Sequence, residues 1–128
     1  MATREKEKAA LHAQNKDRRP RASLKYIHMS ARKAKTVVDL VRGKSVAEAL
    51  AILMYTPKAA TGVVSKLIQS AAANAEHNLQ MDPASLYVAE ICANQGPTMK
   101  RGIPRARGRM DIMKRRSCHI TVVLDSRK

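Results

Sequence analysis

Aromatic side chains are nearly missing from this chain of 128 residues. It contains no Phe and no Trp, and its three tyrosines are Tyr26, Tyr55 and Tyr87. Hydrophobic residues still make up 45% of the sequence, so the apolar content comes mainly from Ala, Val, Leu, Ile and Met. We therefore predict a thin aliphatic core, which a single domain of this length can build without disulfides or metals.

Acidic residues are also scarce, with 10 Asp and Glu against 25 Lys and Arg and a formal net charge of +15. Such a charge costs self-repulsion that a polyanion relieves, so nucleic acid is the leading class of partner. An anionic membrane is the main rival. However, no apolar run approaches the roughly 20 residues that cross a bilayer, and no signal or transit peptide is apparent. We expect a cytoplasmic protein that does not bind membranes.

Cysteine is limited to Cys92 and Cys118, which are far apart and form no CxxC pair. Both lie in apolar patterns that are typical of strands, where a reduced cysteine packs as a small hydrophobe. Cys118 and His119 are neighbours in such a pattern, so their side chains point to opposite faces and cannot form a nucleophile and base pair. We predict no catalytic residue, no metal and no cofactor. An enzyme stays open as a third class, to be revived by a saturable turnover that depends on either residue.

Helical periodicity begins after Ser30, a plausible N-cap, and the first helix is predicted to stop at Gly43. Ser45 and Glu48 then form an S-x-x-E capping box before a second helix. A third helix is predicted with Thr56 as its N-cap and with Pro57 at its first position. The apolar positions predicted for the three helices are Ala34, Val37, Val38 and Val41, then Val46, Ala49, Leu50 and Leu53, and finally Ala60, Val63, Val64, Leu67, Ile68, Ala71 and Ala75.

Two later segments alternate with period two and are predicted to be strands, at residues 87–93 and 118–124. The predicted apolar faces are Tyr87, Ala89, Ile91 and Ala93 in the first and Cys118, Ile120, Val122 and Leu124 in the second. If the strands pair, the segment between them must be a long hairpin or a large loop. Geometry favours a hairpin at about 95–117, with its tip near Ile103 and Pro104 and arms of about 30 Å.

The hairpin segment is rich in arginine, whose guanidinium group binds phosphate bidentately and stacks on bases. A membrane-bound peptide would need more apolar bulk, and a merely solvated charge run fits poorly with a segment tied to a sheet at both ends. A second basic patch lies on the first helix, although Arg42 and Lys44 at its C-terminus could serve the helix dipole alone. The predicted contacts to nucleic acid are Arg18, Arg19, Arg21, Lys25, Arg32, Lys33, Arg42, Lys44, Arg105, Arg107, Arg109, Lys114, Arg115 and Arg116.

Residues 1–22 show little apolar periodicity and end in a basic run. We predict an extended or disordered N-terminal arm that orders on a partner, followed by a single globular RNA-binding domain at 23–128. A solvated tail without a specific role is an equal alternative for the first dozen residues.

From about Ala22 to its C-terminus the chain resembles the L-twenty-two family of the large ribosomal subunit, in its bacterial form. The resemblance lies in four stretches in the family's order: "SARKAKTVVDLVRGKSVAEALAILMYTPKAA", "SAAANAEHN", "LYVAEICANQGPTMKRGIPRARGR" and "KRRSCHITVVL". It implies an α+β fold of three helices on a small antiparallel three-stranded sheet with a long protruding β-hairpin, as the residue patterns also indicate.

The resemblance further implies a structural, non-enzymatic role in the large subunit. The body would bind 23S ribosomal RNA and neighbouring ribosomal proteins and support assembly, without forming a homo-oligomer. The hairpin tip would line the exit tunnel, near the nascent polypeptide and bound macrolides, with Met99, Lys100, Arg101 and Gly102 at the constriction. The alternative is a free DNA-bending protein that uses the basic hairpin as a minor-groove arm.

Overall fold

The computed structural model describes residues 2–15 and 17–127. Within these residues, four α-helices and a three-stranded antiparallel sheet confirm the predicted α+β class, with one helix more than expected. Short 3₁₀ turns precede β2 and close the hairpin. The elements are α1 (Ala2–Gln14), β1 (Arg21–Ile27), α2 (Ala31–Val41), α3 (Val46–Tyr55), α4 (Thr61–Leu79), β2 (Leu86–Pro104) and β3 (Met110–Ser126).

The sheet has the order β1-β3-β2, so β3 is its central strand and pairs antiparallel with both neighbours. Helices α2, α3 and α4 cover one face of the sheet, and α2 and α4 make most of the contacts. The core between these layers is aliphatic, as predicted. Its members are Ala34, Val37, Val38, Val41, Ala49, Leu53, Ala60, Val64, Leu67, Ile68, Ala71, Ala75, Leu86, Val88, Ile91, Cys118, Ile120, Val122 and Leu124.

The starts and stops of α2 and α3 follow the sequence signals. Ser30 is the N-cap residue of α2, and Gly43 takes a φ of +76°, which a residue with a Cβ adopts only with strain. The Ser45 side chain accepts a hydrogen bond of 3.3 Å from the backbone N–H of Glu48, so one half of the predicted capping box is formed. These two helices were predictable because their local signals agree with their apolar periodicity.

The predicted start of α4 was wrong. Thr56 closes α3 instead: its hydroxyl donates 2.7 Å to the carbonyl of Ile52, and its N–H donates to Leu53. Residues 57–60 form a connection, and α4 begins at Thr61. A Thr-Pro pair is typical of a helix start, where proline takes the first position, but also of a helix end, because proline cannot continue the preceding helix.

The predicted apolar face of β2 was also wrong at its start. Leu86 and Val88 are buried, whereas the predicted Tyr87 and Ala89 are only half-buried. A register shift between Val88 and Glu90 inserts one extra residue, so the inward face passes from even to odd positions at Ile91. The face predicted for β3 is confirmed, because β3 has no extra residue along its pairing with β2 there.

The N-terminal segment differs from the predicted extended arm, since Ala2–Gln14 is helical. Its composition explains this, because Ala, Glu, Lys and Gln are strong helix formers even without an apolar stripe. The side chains described in α1 are all exposed. Within the described part of the chain, no helix is long and apolar enough to cross a membrane.

Candidate nucleic-acid interface

A β-hairpin leaves the sheet beyond a register shift between Gln95 and Thr98. From that point the strands stay paired from Thr98↔Arg116 to Pro104↔Met110, a length of about 24 Å at 3.4 Å per residue. Most side chains of this arm are exposed, and none of them is buried. A two-stranded ribbon is marginal in water by itself, so the arm lacks an internal source of stability.

The turn of the hairpin comes later than the predicted position near Ile103 and Pro104. The N–H of Arg105 donates 2.8 Å to the carbonyl of Arg109, and residues 105–109 form the turn. Arg107 and Gly108 supply its positive φ angles, +57° and +69°. Pro104 and Met110 form the last pair of the ladder. Because the next pair, Arg105 and Arg109, is hydrogen-bonded, Pro104 lies at a non-hydrogen-bonded position, where a backbone N–H is not needed.

Residues opposite each other in the hairpin share a face, which places cations on both faces. One face carries Arg101, Arg115 and the apolar residues Met99, Ile103 and Met113. The other carries Lys100, Lys114, Arg116 and the apolar residues Met110 and Ile112. Each face therefore combines charge with aliphatic surface, as suits a partner whose phosphates and bases surround the arm.

The three arginines of the turn are not equivalent. Arg105 Nε donates 2.9 Å to the carboxylate of Asp111, and both side chains are exposed. Within the described residues, no ion pair holds Arg107 or Arg109. Both residues are exposed in the turn, so of the three arginines these two are free of an acidic partner among the described residues and available to phosphate.

The predicted tunnel residues occupy β2 just before the turn. The Arg101 guanidinium donates 3.1 Å to the carbonyl of Lys100 and lies 3.9 Å from the sulfur of Met99. Gly102 makes room for the Met110 side chain, whose sulfur would lie 2.5 Å from a Cβ at that position. The segment is thus a paired strand with a tight crossing contact, rather than the turn itself.

A basic cleft lies where the base of the hairpin meets α2. It has a volume of about 650 Å³ and is lined by His28, Met29, Ser30, Lys33, Ala59, Met99, Lys114, Arg115 and Arg116. A neighbouring apolar hollow of about 440 Å³ adds Arg32, Thr36, Lys58 and Ala60 along the same helix. The structure therefore brings Arg32 and Lys33 of α2 close to the predicted cations of the descending hairpin strand, Lys114, Arg115 and Arg116, whereas Arg42 and Lys44 lie elsewhere.

A second groove runs between β1 and α4. The lining of its larger part, about 380 Å³, includes Arg21, Lys66, Ser70 and Asn74, and the Asn74 amide donates 3.3 Å to the carbonyl of Arg21. A smaller part adds Arg18 and Asn78. The sequence analysis did not predict Lys66, which lines this groove, or Lys58, which lines the hollow beside α2. Exposed lysines next to helical apolar positions are also typical of solvated faces, so no sequence signal distinguished them.

Three further predicted contacts, besides Arg105, are paired with acids in this structure. Arg19 binds Asp17 at 2.8 Å and Glu90 at 2.9 Å, and its hydrogen bonds lower the pKa of Asp17 to about 2. Arg42 pairs with Asp39 and donates 3.0 Å to the carbonyl of Ile91, which ties α2 to β2.

Lys44 pairs with Glu48 at 2.9 Å, one turn along α3. Arg42 and Lys44 thus have the structural roles that a helix end permits. Lys25 and the other predicted cations of the arm and α2 are exposed.

The residues weighed for catalysis have other positions. Cys118 is buried, and burial raises the pKa of its thiol, which disfavours the nucleophilic thiolate. His119 Nδ1 accepts a hydrogen bond of 2.9 Å from the backbone N–H of Tyr26. Residues 2–15 and 17–127 contain no group of three or more side chains arranged to hold a metal.

Comparisons with known proteins agree with this architecture. The family model described as Ribosomal protein L22p/L17e matches residues 22–125. A large ribosomal subunit protein uL22 from Desulforamulus reducens is 57% identical over 108 residues, 84% of this chain and 96% of that protein. Its counterparts in Lachnospira eligens (56%, 88% of each chain) and Clostridioides difficile (53%, 84% of this chain and 97% of that protein) are similar. The chain therefore belongs to the L22p/L17e family of ribosomal proteins.

Proposed function

We propose that this chain binds 23S ribosomal RNA through its hairpin and through the cleft between the hairpin base and α2. As a member of its family, the chain is a structural component of the large subunit of the cytoplasmic ribosome and not an enzyme. The observation that carries the proposal is the exposed hairpin, with cations on both faces and no core of its own. Surrounding RNA would supply the contacts that stabilise such a ribbon.

The two surfaces have different shapes and so fit different parts of an RNA. The hairpin is a narrow arm that can enter between packed strands, whereas the cleft is concave and flanked by Arg32, Lys33 and Arg115. Binding two RNA segments at once raises the effective concentration of one near the other. We expect this bridging to be the protein's contribution to subunit assembly.

The distal part of the hairpin is proposed to line the nascent-peptide tunnel. The turn at residues 105–109 forms the outer end of the arm, and Met99 to Gly102 lead towards it along β2, with Met99 nearest the base, where it also lines the cleft. Met99 and Arg101 share one face, which offers both an apolar and a cationic contact to a peptide or a macrolide. This assignment rests on the family resemblance, and the exposure of these residues supports it.

Gradient sedimentation of cell extract tests the large-subunit function. We expect the full chain, detected by an antibody, to sediment with the large subunit and to stay there at moderate salt. A hairpin-shortened variant, with 98–116 replaced by an Asn-Gly turn, should bind 23S rRNA more weakly while keeping its helical circular dichroism. Recovery of the full chain mainly in DNA-containing fractions would contradict the proposal and favour a DNA-bending protein.

A further inference from the structure

The solvent-facing side of the sheet carries an aromatic pair in a chain that has almost no aromatics. The Tyr26 and His119 rings meet edge to face, with centroids 4.9 Å apart and an interplanar angle of 82°. Tyr26 is 62% exposed, whereas tyrosine side chains in folded proteins usually bury much of their ring. Exposed aromatic rings on a sheet are the groups on which RNA-binding sheets stack unpaired bases.

The backbone holds Tyr26 in this position at an energetic cost. Its φ is +60°, a region that a bulky residue rarely occupies, and β1 changes register against β3 between Leu24 and Ile27. The N–H of Tyr26 donates 2.9 Å to Nδ1 of His119, which fixes both the bulge and the imidazole tautomer. Strain of this kind persists where the surrounding structure over-determines it, and such places cluster at binding sites.

The backbone of Gly96 also lies close to the imidazole. A Cβ on Gly96 would lie 3.0 Å from Cε1 of His119, so the glycine backbone packs closely against the ring. The Tyr26 ring therefore rests on a partner that has little freedom to move. A preorganised platform loses little conformational entropy when a base stacks on it.

Polar groups suited to a nucleotide surround the platform. Asn94 is opposite His119 in the β-ladder, and its exposed amide offers a donor and an acceptor to a base edge. Lys25 precedes Tyr26 in the chain, and its exposed ammonium group is a candidate partner for a phosphate. The nearest carboxylate along this part of β2, Glu90, is already paired with Arg19.

We propose that Tyr26 and His119 form a stacking site for one unpaired base of the ribosomal RNA, with Asn94 at the base edge and Lys25 at the phosphate. The inference deepens the proposed rRNA-binding function and rests on it. It adds a contact whose strength comes from stacking and not from charge, which makes it separable from the hairpin cations.

Equilibrium filter binding of the purified full chain to transcribed 23S rRNA, over a range of salt concentrations, tests the site. Tyr26→Asn removes the ring but suits a positive φ, and we expect it to weaken binding about tenfold with an unchanged salt slope. Tyr26→Phe keeps the ring and should bind within about twofold of the wild type. Tyr55→Asn is the matched control, because Tyr55 is 85% exposed at the end of α3, and its affinity should not change.

A second readout does not depend on how the variants fold. Ultraviolet crosslinking of the wild-type complex should give an RNA adduct at Tyr26, within the tryptic peptide of residues 26–32, located by fragment-ion sequencing because His28 to Ser30 on the same peptide line the cleft. Wild-type affinity of a folded Tyr26→Asn with the salt slope intact, or adducts only at residues other than Tyr26, would overturn the stacking site and leave the proposed function standing. If the wild type showed no salt-dependent binding to 23S rRNA, both the stacking site and the proposed function would be overturned.

Discussion

At the residue scale, the structure shows that arginines of one basic run differ in their ion pairing, which the sequence pattern does not show. Arg105, Arg107 and Arg109 alternate in one basic run, but among residues 2–15 and 17–127 only Arg105 has an acidic partner, Asp111. The Arg105–Asp111 ion pair could not be predicted from the sequence, because the position of the turn decides which side chains meet and was not known. The core valines of α2 were predictable, by contrast, because helical spacing alone places them on one face.

The two cysteines should differ in reactivity because of burial. Cys92 is exposed, whereas Cys118 is buried and its thiol has a raised pKa. We expect a thiol reagent to modify one cysteine rapidly at pH 8 and the second only as fast as the protein unfolds. In Cys92→Ser, only the slow reaction should remain. Two rapid reactions in the wild type would contradict the buried position of Cys118.

The same burial gives a pH dependence of stability. A thiol whose pKa is higher in the folded state contributes fully below its unfolded pKa, and this contribution is lost as pH rises through the folded value. The free energy of unfolding of the wild type should therefore fall above about pH 9, beyond any fall seen in Cys118→Ala. Urea titrations between pH 7 and 10 measure the difference, and parallel pH profiles would contradict it.

Gly96 is predicted to be required at the base of the hairpin. A Cβ there would lie 2.6 Å from the Ser117 hydroxyl and 3.0 Å from His119, and Ser117 is fixed by a 2.7 Å bond to the carbonyl of Pro97. We expect Gly96→Ala to lower the free energy of unfolding by about 1–3 kcal/mol. Gly62→Ala, where a Cβ meets nothing within 4 Å, is the control and should not destabilise the protein in the same urea titration.

At the element scale, the hairpin was predictable and its details were not. Two alternating strands at the ends of a basic segment required a connection, and a hairpin satisfied it. The β2 bulge was not predictable, because an extra residue shows only against the partner strand. The turn at residues 105–109 depends on a positive φ at Arg107, which no local sequence rule assigns to arginine. The prediction placed the turn too early because Pro104 is a typical turn residue.

Deleting Met99 to Arg101 should alter macrolide sensitivity and leave assembly largely intact. The deletion removes an odd number of residues from a paired strand, so the remaining residues before the turn exchange faces as the arm shortens. Growth of the deletion strain on macrolides measures the effect, and gradient profiles report assembly. Lys100→Ala keeps the register and should have a smaller effect. Wild-type sensitivity of the deletion strain would contradict the tunnel assignment.

At the scale of the whole molecule, charge and shape act together. Most of the net charge of +15 lies on α2, β1 and the hairpin, while the core beneath them is aliphatic. Composition predicted the polyanionic partner, and periodicity predicted the layers. The N-terminal helix was missed because its composition favours helix while its pattern has no apolar face.

The salt dependence of 23S rRNA binding tests the central claim, that unpaired hairpin cations bind phosphate, most directly. For Arg107→Ala/Arg109→Ala we predict a slope of log K against log salt that is flatter by about 1.4–1.8, since each phosphate contact contributes roughly 0.7–0.9. Arg105→Ala/Asp111→Ala removes an ion pair without changing the net charge and should keep the wild-type slope. An unchanged slope in the first variant would contradict the account.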